Sequence, residues 1–370
     1  KELTNEDTRK DILDIEEKHK VEMKDDNNRK DLLKDKMTPK SPYGSINAGG
    51  LSQQGKDHGV NQDRGIIISP FYYTTSQNLQ HLPQHHDSEN DFLIGIFDGH
   101  GDLGHDVAQF LQENFAQRLS SKLSDASSKN NDKLPPEVVK QILNTTFLEM
   151  DNELPPIEGT SPSATSTYNI GENGGSTISI ILRLGSQLFF ANAGDSLSFL
   201  GKHDLASKET TILHRNRFDK PHLPDEIERI QKLGGKVFIP KHPMGSRVSA
   251  FYPIRKEVMS LGMSRSIGDN SHTRVGVIAE PIVDVINLDE LLYSEESGGK
   301  NENIGLFVVS SSDGLYDHRQ PQFVANHFAK CFFEDEEYPI VCSRSMIDLA
   351  TPKNRDTYRD DITVLTLKII

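Results

Sequence analysis

The sequence predicts an α+β sandwich, in which antiparallel strands form the core and amphipathic helices cover them. Apolar runs of strand length follow one another along the chain, and helical patterns occur in pairs outside these runs. Several of the strands also run directly into an aspartate. The sequence therefore places carboxylates at the ends of strands that share a core.

The clearest strand is the apolar run over 91–98, which leads into Asp98-Gly99-His100-Gly101. Its β-branched and aromatic residues predict a buried strand that ends at a turn. The strand directs a carboxylate and an imidazole toward one point. A single Asp-Gly pair after a strand is most often only a polar turn, so repetition of the pattern carries the argument.

The other elements follow from hydrophobic spacing and from turn residues. Helices are predicted over 107–123, 138–150, 224–233 and 322–332. Strands are predicted over 66–68, 177–184, 187–193, 197–200, 283–286, 305–310 and 363–370. The glycine-rich, proline-rich and basic stretch 234–260 predicts an irregular excursion of the kind that often borders a site.

Composition limits the class of partner. The chain has 370 residues, with 55 acidic and 41 basic side chains and a formal net charge of −14. This balance argues against nucleic acid or an anionic membrane as a partner. Residues 1–45 are densely and evenly charged without a sustained apolar stripe, so we expect a flexible tail before one domain over 46–370.

The cysteine count and the hydropathy indicate the compartment. With only Cys331 and Cys342 the chain has no disulfide framework, which favours a reducing environment. No apolar run approaches the roughly 20 residues that span a bilayer, and no secretory signal pattern opens the chain. We expect a soluble monomer of the cytoplasm or nucleus.

The strand-end aspartates predict a metal site. Asp98, Asp195 and Asp313 each follow an apolar run. Asp360 and Asp361 directly precede another. Carboxylates that converge in one sheet repel one another unless cations lie between them. Oxygen ligands, without Cys or His clusters at zinc spacing, favour Mg²⁺ or Mn²⁺.

Seven motifs follow one another in order along the chain. They are Asp98-Gly99-His100-Gly101, Gly174-Gly175-Ser176-Thr177, Asn192-Ala193-Gly194-Asp195-Ser196, Glu226-Ile227-Glu228-Arg229-Ile230 with Gly234-Gly235, Met263-Ser264-Arg265-Ser266-Ile267-Gly268-Asp269, Ser312-Asp313-Gly314-Leu315-Tyr316-Asp317 and Arg359-Asp360-Asp361-Ile362-Thr363-Val364. Together they resemble the motifs of the metal-dependent protein phosphatases of type 2C, from about residue 55 to the C-terminus. The resemblance implies a four-layer αββα sandwich of two antiparallel sheets flanked by helices, with a metal site at one edge.

The resemblance also implies a role for each matched residue. Asp98 would bridge two divalent ions, Mg²⁺ or Mn²⁺, and the carbonyl of Gly99 would contact one of them. Asp313 and Asp360 would complete the first ion's ligands, and Asp63 would hold the second ion. A bridging water or hydroxide would then attack the phosphorus of phosphoserine or phosphothreonine directly.

Two further roles are less specific. His100 would protonate the departing seryl oxygen, since imidazole titrates near neutrality, although it could instead only hydrogen-bond to a metal ligand. Asp195 and Asp317 resemble ligands of a third, weaker metal site. Asp195 could equally be a turn or helix-capping residue.

The chain departs from the family pattern where phosphate would bind. Animal-type members carry an arginine at the position of His58 and a glutamate at that of Gln62, whereas plant and protist relatives show a similar Asn-Gln-Asp pattern. A lost bidentate arginine weakens phosphate recognition. Lys56 or a protonated His58 is expected to substitute in part. Leu197 replaces a further family arginine.

The stretch from about 202 to 260 corresponds to the family's flap beside the substrate groove. Its basic residues would form a locally basic surface, or would simply be solvated: Arg215, Arg217, Lys220, Lys241, Arg247 and Arg255. The predicted function is a metal-dependent serine/threonine phosphatase acting on phosphoproteins. The alternatives are an inactive or weak relative that binds phosphoproteins, and a metallohydrolase of nucleotides or nucleic acid, which the net charge disfavours.

Overall fold

The computed structural model describes residues 47–55, 59–73, 90–129, 134–157, 168–252, 256–294, 299–300, 303–351 and 359–370. All of these residues belong to one compact unit, Ser45–Ile370. The predicted tail and the positions of Lys56, His58 and Arg255 lie outside the described residues.

The strands of the described ranges are numbered in chain order. They are β1 Ala48–Gln53, β2 Asp63–Ile68, β3 Phe92–Gly101, β4 Gly174–Ser176, β5 Ile178–Leu184, β6 Gln187–Ala193, β7 Leu197–Asp204, β8 Thr210–Arg215, β9 Lys236–Phe238, β10 Arg247–Tyr252, β11 Glu257–Leu261, β12 Ile267–Gly268, β13 Ile282–Asn287, β14 Tyr293–Ser294, β15 Gly299–Lys300, β16 Ile304–Ser311 and β17 Ile362–Lys368. The α-helices are α1 Gly104–Lys129, α2 Pro136–Asn152, α3 Pro224–Lys232, α4 Asn270–Thr273, α5 Leu288–Leu292, α6 Asp313–Tyr316, α7 Pro321–Phe333 and α8 Pro339–Ala350.

Two antiparallel sheets form the centre of the molecule. One has the strand order β1-β17-β16-β7-β8. The other has the order β12-β4-β3-β5-β6-β13, with β2 paired to β3. The fold is therefore α+β with antiparallel sheets, as the sequence predicted.

Alternation along β3 explains why it is buried on both faces. Phe92, Ile94 and Ile96 belong to the apolar cluster that also contains Leu306 and Val308 of the other sheet. The intervening Leu93 and Phe97 belong instead to the cluster formed with α1 and α2. Because successive side chains of a strand point to opposite faces, one apolar run supplies two cores.

The helices cover the outer faces of the sheets. Phe115 of α1 packs edge to face against Phe147 of α2, with ring centroids 5.5 Å apart. On the opposite side, α7 and α8 pack over Phe307 and Val364 of the five-stranded sheet. Three apolar clusters thus separate four layers: helices, sheet, sheet and helices.

The stretch 234–260 is more regular than expected. It contains a three-stranded antiparallel sheet of the order β11-β10-β9, and not only an irregular excursion. Val248 and Leu261 form a small core there with Ile230 of α3. Exposed hydrophobic residues in these strands, Phe238, Phe251 and Val258, obscured the alternating pattern in the sequence.

Candidate active site

The site begins where β2 and β3 pair. Asp63, the first residue of β2, lies directly opposite Asp98 of β3 in the antiparallel register. Directly opposed residues of such a pair have Cα atoms about 5 Å apart, so the two carboxylates lie close together. Two like charges at this spacing destabilise each other unless a proton or a cation compensates them.

Asp63 is buried, and its two oxygens have different surroundings. Ser312 Oγ donates a 2.7 Å hydrogen bond to Oδ2, while Oδ1 has no hydrogen-bond partner. Burial, and next the charges of Asp361 and Asp360, raise the pKa of Asp63 to about 7, against the lowering effect of hydrogen bonds from Ser312 and Thr363. Without a cation, this carboxyl therefore keeps its proton to a much higher pH than an ordinary aspartate does.

Asp98 and Asp313 show the same effect more strongly. Burial raises the pKa of Asp98 well above its usual range, and the charges of Asp63, Asp313, Asp195 and Asp360 raise it further. Asp313 is the first residue of α6, just after β16. Its pKa is also raised well above the usual range, first by burial and then by the charges of Asp195 and Asp360. Aspartates from five separate parts of the chain thus take part in the electrostatics of one site.

Asp361, to which the sequence analysis gave no separate role, connects this cluster to the loop before β2. Its Oδ1 accepts a hydrogen bond from the backbone N–H of Gly55 at 2.5 Å, and its Oδ2 accepts one from that of Gln62 at 2.7 Å. The two bonds hold the segment preceding Asp63 against the start of β17. Of the two neighbouring aspartates, Asp361 is therefore the one whose carboxylate binds the segment before β2.

Gly99 is a position of close backbone approach. A Cβ there would lie 2.4 Å from the carbonyl oxygen of Gly104 and 2.7 Å from that of Gln62. No side chain fits without moving backbone, so glycine is required where β3 meets the start of α1.

Lys220 contributes a positive charge to the acidic cluster. Its Nζ forms an ion pair with Asp195 Oδ2, and both side chains are largely buried, with exposures of 14% and 4%. Burial opposes the charge of Lys220, but Asp195, Asp313 and Asp317 together raise its pKa. Among the basic residues of 202–260, Lys220 is therefore part of the candidate site and not a solvated surface residue.

His100 lies beside a second buried acid. Its Nε2 is 2.7 Å from Oδ2 of Asp269, which also accepts a 2.6 Å hydrogen bond from Ser266 Oγ. Burial lowers the pKa of His100, but the charge and hydrogen bond of Asp269 outweigh burial and raise it overall. In turn, burial raises the pKa of Asp269 while His100 lowers it, with a net downward shift.

Arg217 forms hydrogen bonds with buried acids. It therefore has a structural role, whereas most basic residues of 202–260 were expected to be solvated. It donates hydrogen bonds to Asp219 and Glu226, whose side chains are fully buried. Glu226 of α3 also accepts from Arg229 and Arg265. This buried ion network fixes α3 beside the segment that carries Lys220.

The donor set suits a hard divalent cation. It consists of carboxylate oxygens, and two of them, Asp63 Oδ1 and Asp195 Oδ1, are buried without a hydrogen-bond partner. Within the part of the chain that the structure describes, however, no group of three or more Asp, Glu, His or Cys side chains is arranged as a set of metal ligands. The carboxylates lie in one region, but some of their oxygens contact other side chains: Asp63 accepts a hydrogen bond from Ser312, and Asp195 pairs with Lys220.

The fold matches that of solved phosphatases. A serine-threonine phosphatase 2C from Toxoplasma gondii superposes with a TM-score of 0.62, covering 88% of this chain and 96% of that chain, at 18% sequence identity. At this identity the likeness concerns the fold alone.

Sequence comparison assigns the family. The family model of PP2C, protein phosphatase 2C, matches residues 71–356. Because this match covers most of the chain, the chain belongs to the protein phosphatase 2C family, and the predicted family is confirmed.

Individual relatives are distant. Probable protein phosphatase 2C 64 of Oryza sativa subsp. japonica is 28% identical over 322 residues, which are 85% of this chain and 64% of that protein. The integrin-linked kinase-associated serine/threonine phosphatase 2C of Bos taurus is 26% identical over 289 residues, 75% of this chain and 66% of its own. The chain spans 54% of the length of two Arabidopsis thaliana relatives, probable protein phosphatases 2C 1 and 2C 52.

Proposed function

We propose that this protein hydrolyses phosphoserine and phosphothreonine in proteins with the help of two divalent cations, Mg²⁺ or Mn²⁺. The observation that carries the proposal is that burial and the charges of neighbouring carboxylates, including Asp360, raise the pKa values of Asp63, Asp98 and Asp313 in a chain of the protein phosphatase 2C family. Their spacing costs energy in the absence of cations, which is expected of ligands that await a metal. The serine/threonine specificity follows the family and the name of the bovine relative.

The residues that would hold the cations are those of the strand ends. Asp98 would contact both ions, the Gly99 carbonyl together with Asp313 and Asp360 would complete one site, and Asp63 would serve the other. When bound, the two cations would neutralise these carboxylates and lower the pKa of a water that attacks phosphorus.

Other groups of the chain would position these ligands and move a proton. Ser312 holds one oxygen of Asp63, which leaves the other free to bind a cation. His100 would carry the proton given to the departing seryl oxygen, and Asp269 would hold its imidazole by the 2.7 Å contact at Nε2.

The remaining assignments extend from this centre. We propose residues 46–370 as the catalytic domain, with the flap over about 202–260 beside the substrate groove. Lys56 and His58, whose positions precede β2 in the sequence, are proposed to contact the phosphate. The third cation site at Asp195 and Asp317 would require the ammonium of Lys220 to leave Asp195.

Turnover of a phosphothreonine peptide tests the proposal. The purified protein is assayed with Mn²⁺, with Mg²⁺ and with EDTA, and Asp98→Asn is compared with the exposed control Asp125→Asn on α1. We expect metal-dependent hydrolysis that EDTA abolishes, a loss of roughly a hundredfold or more in Asp98→Asn, and a normal rate in Asp125→Asn. Binding of the phosphopeptide without turnover would favour the inactive-relative alternative.

A further inference from the structure

The contact between His100 and Asp269 crosses a strand that lies between the two residues. β4 pairs with β3 on one side, where Gly175 is opposite His100, and with β12 on the other side, where Gly175 is opposite Gly268. Asp269 directly follows β12. The imidazole and the carboxylate, which are 2.7 Å apart at Nε2 and Oδ2, therefore reach each other across the position of Gly175.

The absence of a side chain at Gly175 leaves room for this contact. A Cβ at this position would lie 2.2 Å from Oδ2 of Asp269 and 2.6 Å from Nε2 of His100. Both distances are far shorter than an ordinary non-bonded contact, so an alanine would force the two side chains to move. The atoms nearest to such a Cβ all belong to the contact itself. Gly175 is therefore matched to the His100–Asp269 contact.

Ser266 binds the same carboxylate oxygen. Its hydroxyl donates a 2.6 Å hydrogen bond to Oδ2 of Asp269, and both residues are almost completely buried, with exposures of 2% and 1%. Oδ2 thus contacts both the Ser266 hydroxyl and the His100 imidazole. Since hydrogen bonds and close packing fix the rotamer of a buried side chain, Ser266 restricts the rotation of the carboxylate beside the imidazole.

The backbone of Asp269 has an uncommon conformation. Asp269 has φ 49° and ψ 41°, in the left-handed region that residues other than glycine rarely occupy, and Gly268 before it has φ 82°. Hydrogen bonds fix this turn: the N–H of Gly268 donates to Asp151 Oδ1 at 2.7 Å, and that of Asp269 donates to the carbonyl of Gly174 at 3.1 Å. Strained residues of this kind occur at functional sites, where they preorganise a side chain. Here the side chain is the carboxylate that contacts His100.

We propose that Ser266 and Gly175 are positioning residues for proton transfer by His100, and that both act through Asp269. Ser266 orients the carboxylate, and Gly175 leaves the space in which the carboxylate reaches the imidazole. The inference rests on the proposed function, in which His100 gives a proton to the departing seryl oxygen. Loss of the Ser266 hydroxyl should weaken the hold on His100 and leave the proposed cation ligands in place, since this hydroxyl donates to Asp269 and not to one of them.

Proton NMR of the EDTA-treated full chain tests the contact without any turnover. A ring N–H that donates to a carboxylate in a short hydrogen bond resonates far downfield and exchanges slowly with water. The signal of His100 is assigned by its loss in His100→Gln. We expect this signal to move upfield, or to be lost to exchange with water, in Ser266→Ala and in Gly175→Ala.

Ser264→Ala is the matched control for the NMR comparison. Ser264 is as buried as Ser266 and lies two residues away, but its hydroxyl donates to the carbonyl of Asp219 at 2.9 Å. The His100 signal should therefore be unchanged in Ser264→Ala. Thermal unfolding beforehand verifies that each variant is folded, and Ser266→Ala decides the matter if Gly175→Ala is not. Absence of the signal from the unchanged protein, or an unchanged signal in Ser266→Ala, would overturn the proposal.

Steady-state rates with Mn²⁺ separate this inference from the function on which it rests. In Ser266→Ala the kcat for a phosphothreonine peptide should fall about tenfold, with KM unchanged. The kcat for an aryl phosphate should fall much less, because a phenolate leaves without protonation. In the His100→Gln background, Ser266→Ala should cause no further loss, since both changes remove the same proton transfer.

The possible results decide between the two proposals. Equal slowing of both substrates in Ser266→Ala, or a loss that adds in full to that of His100→Gln, would contradict the positioning role while leaving the phosphatase activity standing. Absence of metal-dependent turnover from the unchanged protein would instead contradict the proposed function, and the NMR comparison would still decide whether Ser266 and Gly175 position His100.

Discussion

At the scale of single residues, the candidate site is governed by how each buried charge is compensated. Asp195 is compensated by Lys220 and Asp269 by His100, whereas Asp63 and Asp98 form no ion pair with any Lys, Arg or His among the described residues. Both of these uncompensated acids, Asp63 and Asp98, are proposed to bind cations. This division is consistent with cation binding at Asp63 and Asp98 and proton transfer at His100, which Asp269 holds.

His100 is expected to matter most when the leaving group is a poor one. His100→Gln should slow an alkyl phosphate, such as a phosphothreonine peptide, by about a hundredfold, but should slow an aryl phosphate much less, because a phenolate leaves without protonation. Asp269→Asn removes the negative charge next to the His100 imidazole. It should also slow the alkyl phosphate more than the aryl phosphate, but by a smaller factor than His100→Gln. Steady-state rates on both substrates measure this, and equal slowing of the two would refute the general-acid role.

Lys220 is expected to occupy a position that a divalent cation could otherwise take. Lys220→Met removes the ammonium from Asp195 and leaves Asp195, Asp313 and Asp317 without it, so calorimetric titration with Mn²⁺ should detect one more bound ion than in the unchanged protein. Lys232→Met, at an exposed lysine of α3, serves as the control. An identical number of bound ions in both variants would show that Lys220 does not exclude a cation.

Sequence reasoning found the acids at strand ends but missed their partners. Asp98 and Asp313 stand next to apolar runs, which is a local signal. The contact between His100 and Asp269 joins residues 169 positions apart, and no local pattern announces it. Lys220 stood among other basic residues, and only the fold separates it from those that remain in solvent.

At the scale of elements, long apolar strands were predictable and polar ones were not. The runs that became β3, β5, β6 and β16 are buried on both faces, so their composition alone identifies them. β1 reads Ala-Gly-Gly-Leu-Ser-Gln and β9 Lys-Val-Phe, and each depends on a partner strand for its conformation. Tertiary pairing, and not local preference, determines such strands.

The buried ion network fixes α3, and Glu226 is its centre. Glu226→Gln would leave the guanidinium groups of Arg217, Arg229 and Arg265 with less compensation, and removal of one partner from a buried network costs about 3 kcal/mol in the free energy of unfolding. Urea denaturation measures the loss. Glu228→Gln on the same helix is the matched control, since Glu228 is 68% exposed, and it should change the free energy of unfolding by less than about 0.5 kcal/mol. Similar losses in both variants would contradict a special role for the network.

At the scale of the whole molecule, an acidic protein gathers several of its carboxylates in one buried region. Burial and the charges of neighbouring carboxylates make this costly, and the raised pKa values of Asp63, Asp98 and Asp313 express the cost. No helix of the described residues has the length and apolar character needed to cross a membrane. The order of the motifs allowed the sequence to predict the family, whereas the orientation of each carboxylate required the fold.

The stability of the metal-free protein should depend on pH through Asp63. Its pKa rises on folding from 3.8 to about 7, so between these values the folded state holds a proton that the unfolded state has lost, and stability falls as pH rises. Asp63→Asn has no carboxyl to titrate at this position, so its stability should not fall with pH for this reason. Its stability relative to the unchanged protein should grow from about pH 4 to about pH 7, by a few kcal/mol, and then stay constant.

Urea denaturation in EDTA at several pH values measures this difference. Asp125→Asn, at an exposed carboxylate of α1, should follow the unchanged protein at every pH. A constant difference between Asp63→Asn and the unchanged protein would mean that Asp63 titrates normally in the fold.

The most direct test of a divalent-cation centre is calorimetric titration of the EDTA-treated protein, freed of chelator, with Mn²⁺ near neutral pH. We predict saturable binding of two ions, accompanied by proton release as Asp63 ionises, and loss of at least one ion in Asp98→Asn but not in Asp125→Asn. Absence of saturable binding, or unchanged binding in Asp98→Asn, would contradict the account.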